Sequence, residues 1–195
     1  MTRVLLVATT TGYQTRSFGD AAARLGVELV FATDRCAVLD DPWRDAAIPV
    51  RFHNPASSVR RIVAASQTTP FAAVVAVGDR PAALAARARE ALGLQGHPSD
   101  GAEAARNKLT TRARLRAAGL PTPQFHVAPA ETAASELAAA ATWPAVLKPV
   151  ALSGSRGVMR VNDAGELGMA LGRLRTLLAR PELRATGGPG DVGLG

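Results

Sequence analysis

Residues 143–158 have the sequence WPAVLKPVALSGSRGV, which joins an apolar segment, one lysine and a glycine-bearing loop. Residues 145–149 predict a β-strand and residues 158–161 a second one. The loop between them contains Ser153, Gly154, Ser155, Arg156 and Gly157. Backbone N–H groups and hydroxyls in such a loop suit a polyphosphate, and glycine tolerates the positive φ values that it requires. The pattern makes this loop a candidate phosphate-binding site, although similar loops more often form simple turns.

Lysine is rare in this chain, because only Lys108 and Lys148 are lysines among its 23 basic residues. Lys148 lies at the end of the predicted strand, and Lys108 falls inside a long helix predicted to end at Gly119. An ammonium is a compact point charge that fits between phosphate oxygens, whereas a planar guanidinium favours a bidentate partner. Lysine at these two positions of an arginine-rich chain indicates phosphate contacts, with chance as the alternative.

The first 95 residues alternate short apolar segments with helical ones. The predicted strands are Val4–Ala8, Val27–Ala32 and Phe71–Val77. Continuous apolar strands separated by helices predict an α/β fold, with a Rossmann-like parallel sheet covered on both faces. In such sheets ligands lie at the carboxyl ends of the strands, here at residues 9–12, 34 and 78–79.

The alternation of apolar strands and helices stops near Gly96, which predicts a domain boundary there. Residues 1–95 would form the parallel-sheet domain, and residues 96–181 a helix followed by a small α+β unit. Residues 182–195 are rich in glycine and have little to bury, so we expect a disordered tail.

Composition excludes several classes of site. A single cysteine and three scattered histidines exclude an internal disulfide and predict no zinc site. The longest apolar segments are too short for a signal peptide or a membrane helix, so the sequence predicts a cytoplasmic protein without a membrane partner. The net charge of +7 is spread along the chain. The local basic cluster at residues 106–116 contains no aromatic residue on which bases could stack, so nucleic-acid binding is a weaker alternative.

Two segments resemble the ATP-grasp ligases. Residues 106–123, RNKLTTRARLRAAGLPTP, are similar to the family's entry helix with its first nucleotide-binding lysine. Residues 143–158 are similar to the strand that carries the second lysine and to the loop that closes over the phosphates. The resemblance therefore implies ATP contacts from Lys108, Lys148 and the loop Ser153 to Gly157. It also implies that residues 1–95 are the Rossmann-like domain preceding the grasp domain and that residues 96–181 include its lid subdomain.

The resemblance further implies an ATP-dependent carboxylate–amine ligase that acts through an acyl phosphate on small-molecule substrates. The Mg²⁺ ligands of that family would follow the last residue, so we expect the C-terminal half of the grasp domain to be absent and this chain alone to be inactive. The alternatives are a non-catalytic nucleotide-binding or regulatory module and a NAD-binding protein. Residues 9–13 lack the G-x-G-x-x-G pattern that NAD binding requires. The sequence does not specify the oligomeric state.

Overall fold

The computed structural model describes residues 1–9, 15–34, 47–184 and 191–194. These residues divide into two compact units, Met1–Glu103 and Ala104–Gly195. The division lies after Glu103, whereas the sequence predicted a boundary near Gly96, because helix Ser99–Arg106 begins in the first unit. Within the described part of the chain, no helix is long and apolar enough to cross a membrane.

The first unit is an α/β structure built on a parallel sheet. Its described elements are β1 (Arg3–Ala8), α1 (Thr15–Leu25), β2 (Glu28–Thr33), β3 (Ile48–Pro49), α2 (Pro55–Thr68), β4 (Ala73–Val77), α3 (Asp79–Ala91) and α4 (Ser99–Arg106). The strands are all parallel, in the order β3-β2-β1-β4. The α/β class and the parallel sheet predicted from the apolar segments are confirmed. The predicted ligand-binding turn at residues 9–12 lies outside the described residues beyond Thr9.

Alternation along β1 explains why this sheet needs helices on both faces. Leu5 and Val7 are buried in one cluster with residues of α2 and α3, such as Ile62 and Leu84. Leu6 and Ala8 point to the other face, where Phe18 of α1 packs against them. Successive side chains of a strand point to opposite faces, so a segment that is apolar throughout must be covered twice.

The second unit contains a small antiparallel sheet. Its described elements are α5 (Lys108–Ala117), β5 (His126–Pro129), α6 (Ala134–Ala139), β6 (Ala145–Pro149), β7 (Met159–Val161), α7 (Ala164–Leu178), α8 (Pro181–Arg184) and β8 (Asp191–Leu194). The strand order is β5-β8-β6-β7. One face of the sheet packs on α7 and α6 through a core that includes Leu147, Leu171, Leu174 and Leu194.

The prediction of a disordered tail is wrong for residues 191–194. Strand β8 lies between β5 and β6 and pairs antiparallel with both. A strand in that position receives backbone hydrogen bonds from two neighbours, which do not depend on side-chain composition. The side chain of its last residue, Leu194, is only 2% exposed. Residues 185–190 and 195 lie outside the described residues.

The predicted long helix is two helices, because Asn107 interrupts it. Asn107 has an extended backbone, and its side-chain oxygen accepts hydrogen bonds from the N–H groups of Leu109 and Thr110 at 2.9 and 3.1 Å. Asparagine is among the best N-cap residues, so the chain starts a new helix after it. Lys108 is therefore the first residue of α5, and not an interior residue of a longer helix.

Candidate functional site

Lys148 lies on the face of the small sheet that is turned away from the core. Along β6, Ala145 and Leu147 are buried, whereas Val146 and Lys148 are half-buried on the opposite face. Burial, and secondarily the charge of the Arg112 guanidinium, lowers the pKa of the Lys148 ammonium below its usual value. The strand thus presents a partly desolvated ammonium beside an apolar side chain.

Lys108 reaches the same region from the start of α5. Its backbone N–H donates to the carbonyl of Val150 at 3.2 Å, which fixes the helix end against the chain that follows β6. Its Nζ donates to the carbonyls of Val150, at 3.4 Å, and of Leu152. Lys108 therefore holds the segment immediately before the loop at Ser153.

A cavity of about 220 Å³ lies between α5 and the open face of the sheet. Both lysines line it, together with Arg112, and none of the described residues that line it is acidic. Its apolar walls include Leu109, Phe125, Val127, Val146 and Val150. A site with apolar walls and convergent cations fits an anionic ligand that also has a flat or apolar part.

Arg112 is a member of this site that the sequence interpretation missed. It follows Lys108 by four residues on α5, so both side chains lie on one face of the helix. Its Nη1 donates to the hydroxyl of Thr122 at 3.1 Å. The spacing from Lys108 could have identified it, but a chain this rich in arginine gave no reason to select one arginine over another.

The predicted phosphate loop does not line the cavity. Residues 153–156 are exposed, and Arg156 contacts its own loop, with Nε donating to the carbonyl of Ser153 at 3.2 Å. Gly154, Ser155 and Gly157 have φ values of 66°, 56° and 73°. The positive φ values match the expectation for a tight loop, whereas phosphate contact by these residues stays a prediction. The structure thus brings Lys108 and Lys148 together and leaves the loop beside them.

Of the two loop glycines, Gly157 is the one at which an added side chain would lower the stability of the fold more. A Cβ there would lie 2.8 Å from Leu174 Cδ1 and 2.9 Å from Leu177 Cδ2, whereas a Cβ at Gly154 would meet nothing within 4 Å. We expect Gly157→Ala to lower the free energy of unfolding by about 2–4 kcal/mol, from backbone strain plus overpacking. Gly154→Ala should lower it by about 1 kcal/mol, from strain alone. Chemical denaturation of both variants checks this, and equal losses would contradict the packing at Gly157.

Comparison with known proteins agrees with this fold. Residues 19–96 match the family model of the ATP-grasp N-terminal domain. A structure of an L-amino acid ligase from Bacillus licheniformis superposes with a TM-score of 0.69 at 24% identity, covering 100% of this chain and 44% of that one. The chain has the fold of the N-terminal part of an ATP-grasp ligase. The resemblance to ATP-grasp ligases is therefore confirmed for the fold, whereas the nucleotide contacts of the two lysine segments stay a prediction.

Two further relatives extend the ATP-grasp comparison. The biotin carboxylase domain of the 2-oxoglutarate carboxylase from Hydrogenobacter thermophilus, solved with MgADP and bicarbonate, gives a TM-score of 0.61 at 18% identity. The superposition covers 97% of this chain and 43% of the biotin carboxylase chain. The uncharacterized protein y4rH of Sinorhizobium fredii is 42% identical over 74 residues, or 38% of this chain and 16% of that protein. The chain thus spans less than half the length of each of these relatives.

Metal-ligating side chains do not form a cluster of three or more in the part of the chain that the structure describes. Among residues 1–9, 15–34, 47–184 and 191–194, no three His, Cys, Asp or Glu side chains are grouped so that they could hold a metal ion. Magnesium requires convergent oxygen ligands, usually one or two carboxylates together with phosphates. The cavity offers cations instead, so its residues suit an anionic group rather than a metal ion.

Proposed function

We propose that residues 104–194 hold ATP for an ATP-grasp ligase of the carboxylate–amine type. The observation that supports this is the placement of the chain's two lysines, from two different elements, on one cavity with apolar walls. The apolar side chains would pack on the base, and the ammonium groups of Lys108 and Lys148 would bind phosphate oxygens. Lys148 has no hydrogen-bond acceptor among the described residues, so an anion would give its partly buried charge a partner.

The reaction that we propose for the assembled site is that of a ligase with an acyl-phosphate intermediate. A substrate carboxylate would attack the γ-phosphorus of ATP, forming an acyl phosphate and releasing ADP. An amine would then attack the acyl carbon and displace phosphate. Catalysis of phosphoryl transfer depends mainly on positioning and charge stabilisation, which the cations of the cavity would supply in part. The loop Ser153 to Gly157, with its exposed position, would close over the phosphates once ATP is bound.

We further propose that the chain by itself binds ATP without transferring its phosphoryl group. Among the described residues no three His, Cys, Asp or Glu side chains are grouped to hold a metal ion, whereas the cations that would contact phosphate line the cavity. This same observation favours the second candidate function, a nucleotide-binding or regulatory module without catalysis. For the ligase, the proposed substrates are small-molecule carboxylates and amines, and nucleic acid is not expected as a partner. ATP hydrolysis measured with Mg²⁺ present separates a catalytic chain from a binding one.

A calorimetric titration of ATP tests the binding proposal. We expect wild-type chain to bind ATP and Lys148→Met to bind about tenfold more weakly, since one charged hydrogen bond contributes about 1.5 kcal/mol or more. Arg173→Gln is the matched control, because this substitution also removes one positive charge. Arg173 is exposed on α7 and does not line the cavity. This variant should bind like the wild type. Equal affinities for wild type and Lys148→Met would refute the proposed site.

A further inference from the structure

The cavity contains a third cation whose geometry differs from that of the two lysines. Arg112 lies one helical turn after Lys108 and lines the same wall. A guanidinium has five N–H donors in a planar fork, and the bond to the Thr122 hydroxyl takes one of them, at 3.1 Å. The remaining edge of the fork suits two oxygens of one phosphate or of adjacent phosphates.

The partner of Arg112 is itself held in place. Thr122 stands between Pro121 and Pro123, and proline fixes its own φ and restricts the residue before it. The backbone that carries the Thr122 hydroxyl is therefore restricted, and the bond to this hydroxyl reduces the conformational freedom that Arg112 would lose on binding a ligand. A surface arginine used only for solubility would not require such an anchor.

The charges that face the cavity explain why the number of phosphates should matter. Lys108, Arg112 and Lys148 are the charged side chains among the described residues that line it, and all three are cationic. The charge of Arg112 also acts on Lys148, since it contributes to the lowered pKa of that ammonium. A single phosphate can neutralise only part of such a cluster, whereas a di- or triphosphate carries more charge and reaches several cations at once.

Building on the proposed nucleotide function, we propose that Arg112, anchored by Thr122, is the residue that makes this cavity prefer polyphosphates over monophosphates. In this arrangement the lysines supply point charges to any bound phosphate. Arg112 contacts an oxygen that only the longer phosphate chain presents. Arg112 is thus a specificity-determining residue for the ligand, and Thr122 is its positioning residue.

The experiment compares the affinities of ATP and AMP for the intact chain and three variants. We expect Arg112→Gln to weaken ATP about tenfold and AMP by less than about twofold, because one charge-assisted contact is lost only with ATP. Thr122→Val keeps the charge but removes the anchor, and should weaken ATP by about threefold. Arg173→Gln, exposed and outside the cavity, should leave the ratio of ATP to AMP affinity unchanged.

The outcomes separate this inference from the function on which it rests. If wild type binds ATP and Lys148→Met weakens it, but Arg112→Gln weakens ATP and AMP by the same factor, the inference is overturned and the nucleotide site stands. If wild type binds no nucleotide, the proposed function fails. Inorganic pyrophosphate and phosphate, which lack a base, then test Arg112 alone: loss of a pyrophosphate preference in Arg112→Gln supports its role, and an unchanged preference overturns it.

Discussion

Replacing Leu194 with alanine is expected to lower the free energy of unfolding of the second unit by about 2–5 kcal/mol. Leu194 is 2% exposed and packs in the same core as Leu147, Leu171 and Leu174. Removing its side chain would leave a cavity beneath the centre of the small sheet. Since a domain of this size has only about 5–15 kcal/mol of stability, the loss would be large.

The measurement is urea denaturation followed by the fluorescence of Trp143, which packs against this core. A Trp43→Phe background leaves Trp143 as the one tryptophan, because the chain has two. Leu120→Ala is the matched control, since Leu120 belongs to the same unit but is 53% exposed. It should cost less than about 0.5 kcal/mol. Similar losses in the two variants would contradict the placement of β8 in the sheet.

Raising the pH is expected to weaken ATP binding by more than tenfold, and the loss should begin below the pH at which an ordinary lysine titrates. Burial, aided by Arg112, lowers the pKa of Lys148 in the folded chain. A bound polyphosphate favours the protonated amine, so affinity is fully present below the folded-state pKa and declines as pH rises through it. Lys108 and Arg112 are the other charged groups that line the cavity among the described residues.

The titration of Lys148 does not itself destabilise the fold over this range. Because the pKa of Lys148 is lowered by folding, the unfolded chain binds more protons between the two pKa values, and this group makes stability rise with pH there. Titrations of ATP between about pH 7 and 10.5 check the prediction, with Lys148→Arg as the control, because arginine keeps its charge throughout that range. The early part of the decline should be absent from Lys148→Arg. An identical pH profile in both proteins would show that Lys148 does not carry the effect.

Part of the candidate site could be predicted from the sequence because its signals are local. Lys148 follows an apolar strand and precedes a loop with two glycines, and a lysine is distinctive in a chain that otherwise uses arginine. Gly154 and Gly157 do adopt the left-handed backbone that only glycine adopts at little cost. The position of this loop relative to the cavity could not be predicted from such local signals. The loop lies outside the lining, since the bonds from Lys108 hold only the residues before it.

The sequence alone determined the class of the fold and the identity of the two lysines. Strand and helix periodicity are properties of neighbouring residues, so the apolar segments of β1, β2 and β4 were sufficient to predict a parallel sheet between helices. Only the tertiary structure decided that Asp191–Leu194 is a strand and that Arg112 joins the lysines. A four-residue strand such as β8 is held by hydrogen bonds to the backbone groups of its two neighbours, and a cation belongs to a site only through the elements that enclose it. Neither the pairing of β8 nor the position of Arg112 in the site is encoded in the residues next to it in the sequence.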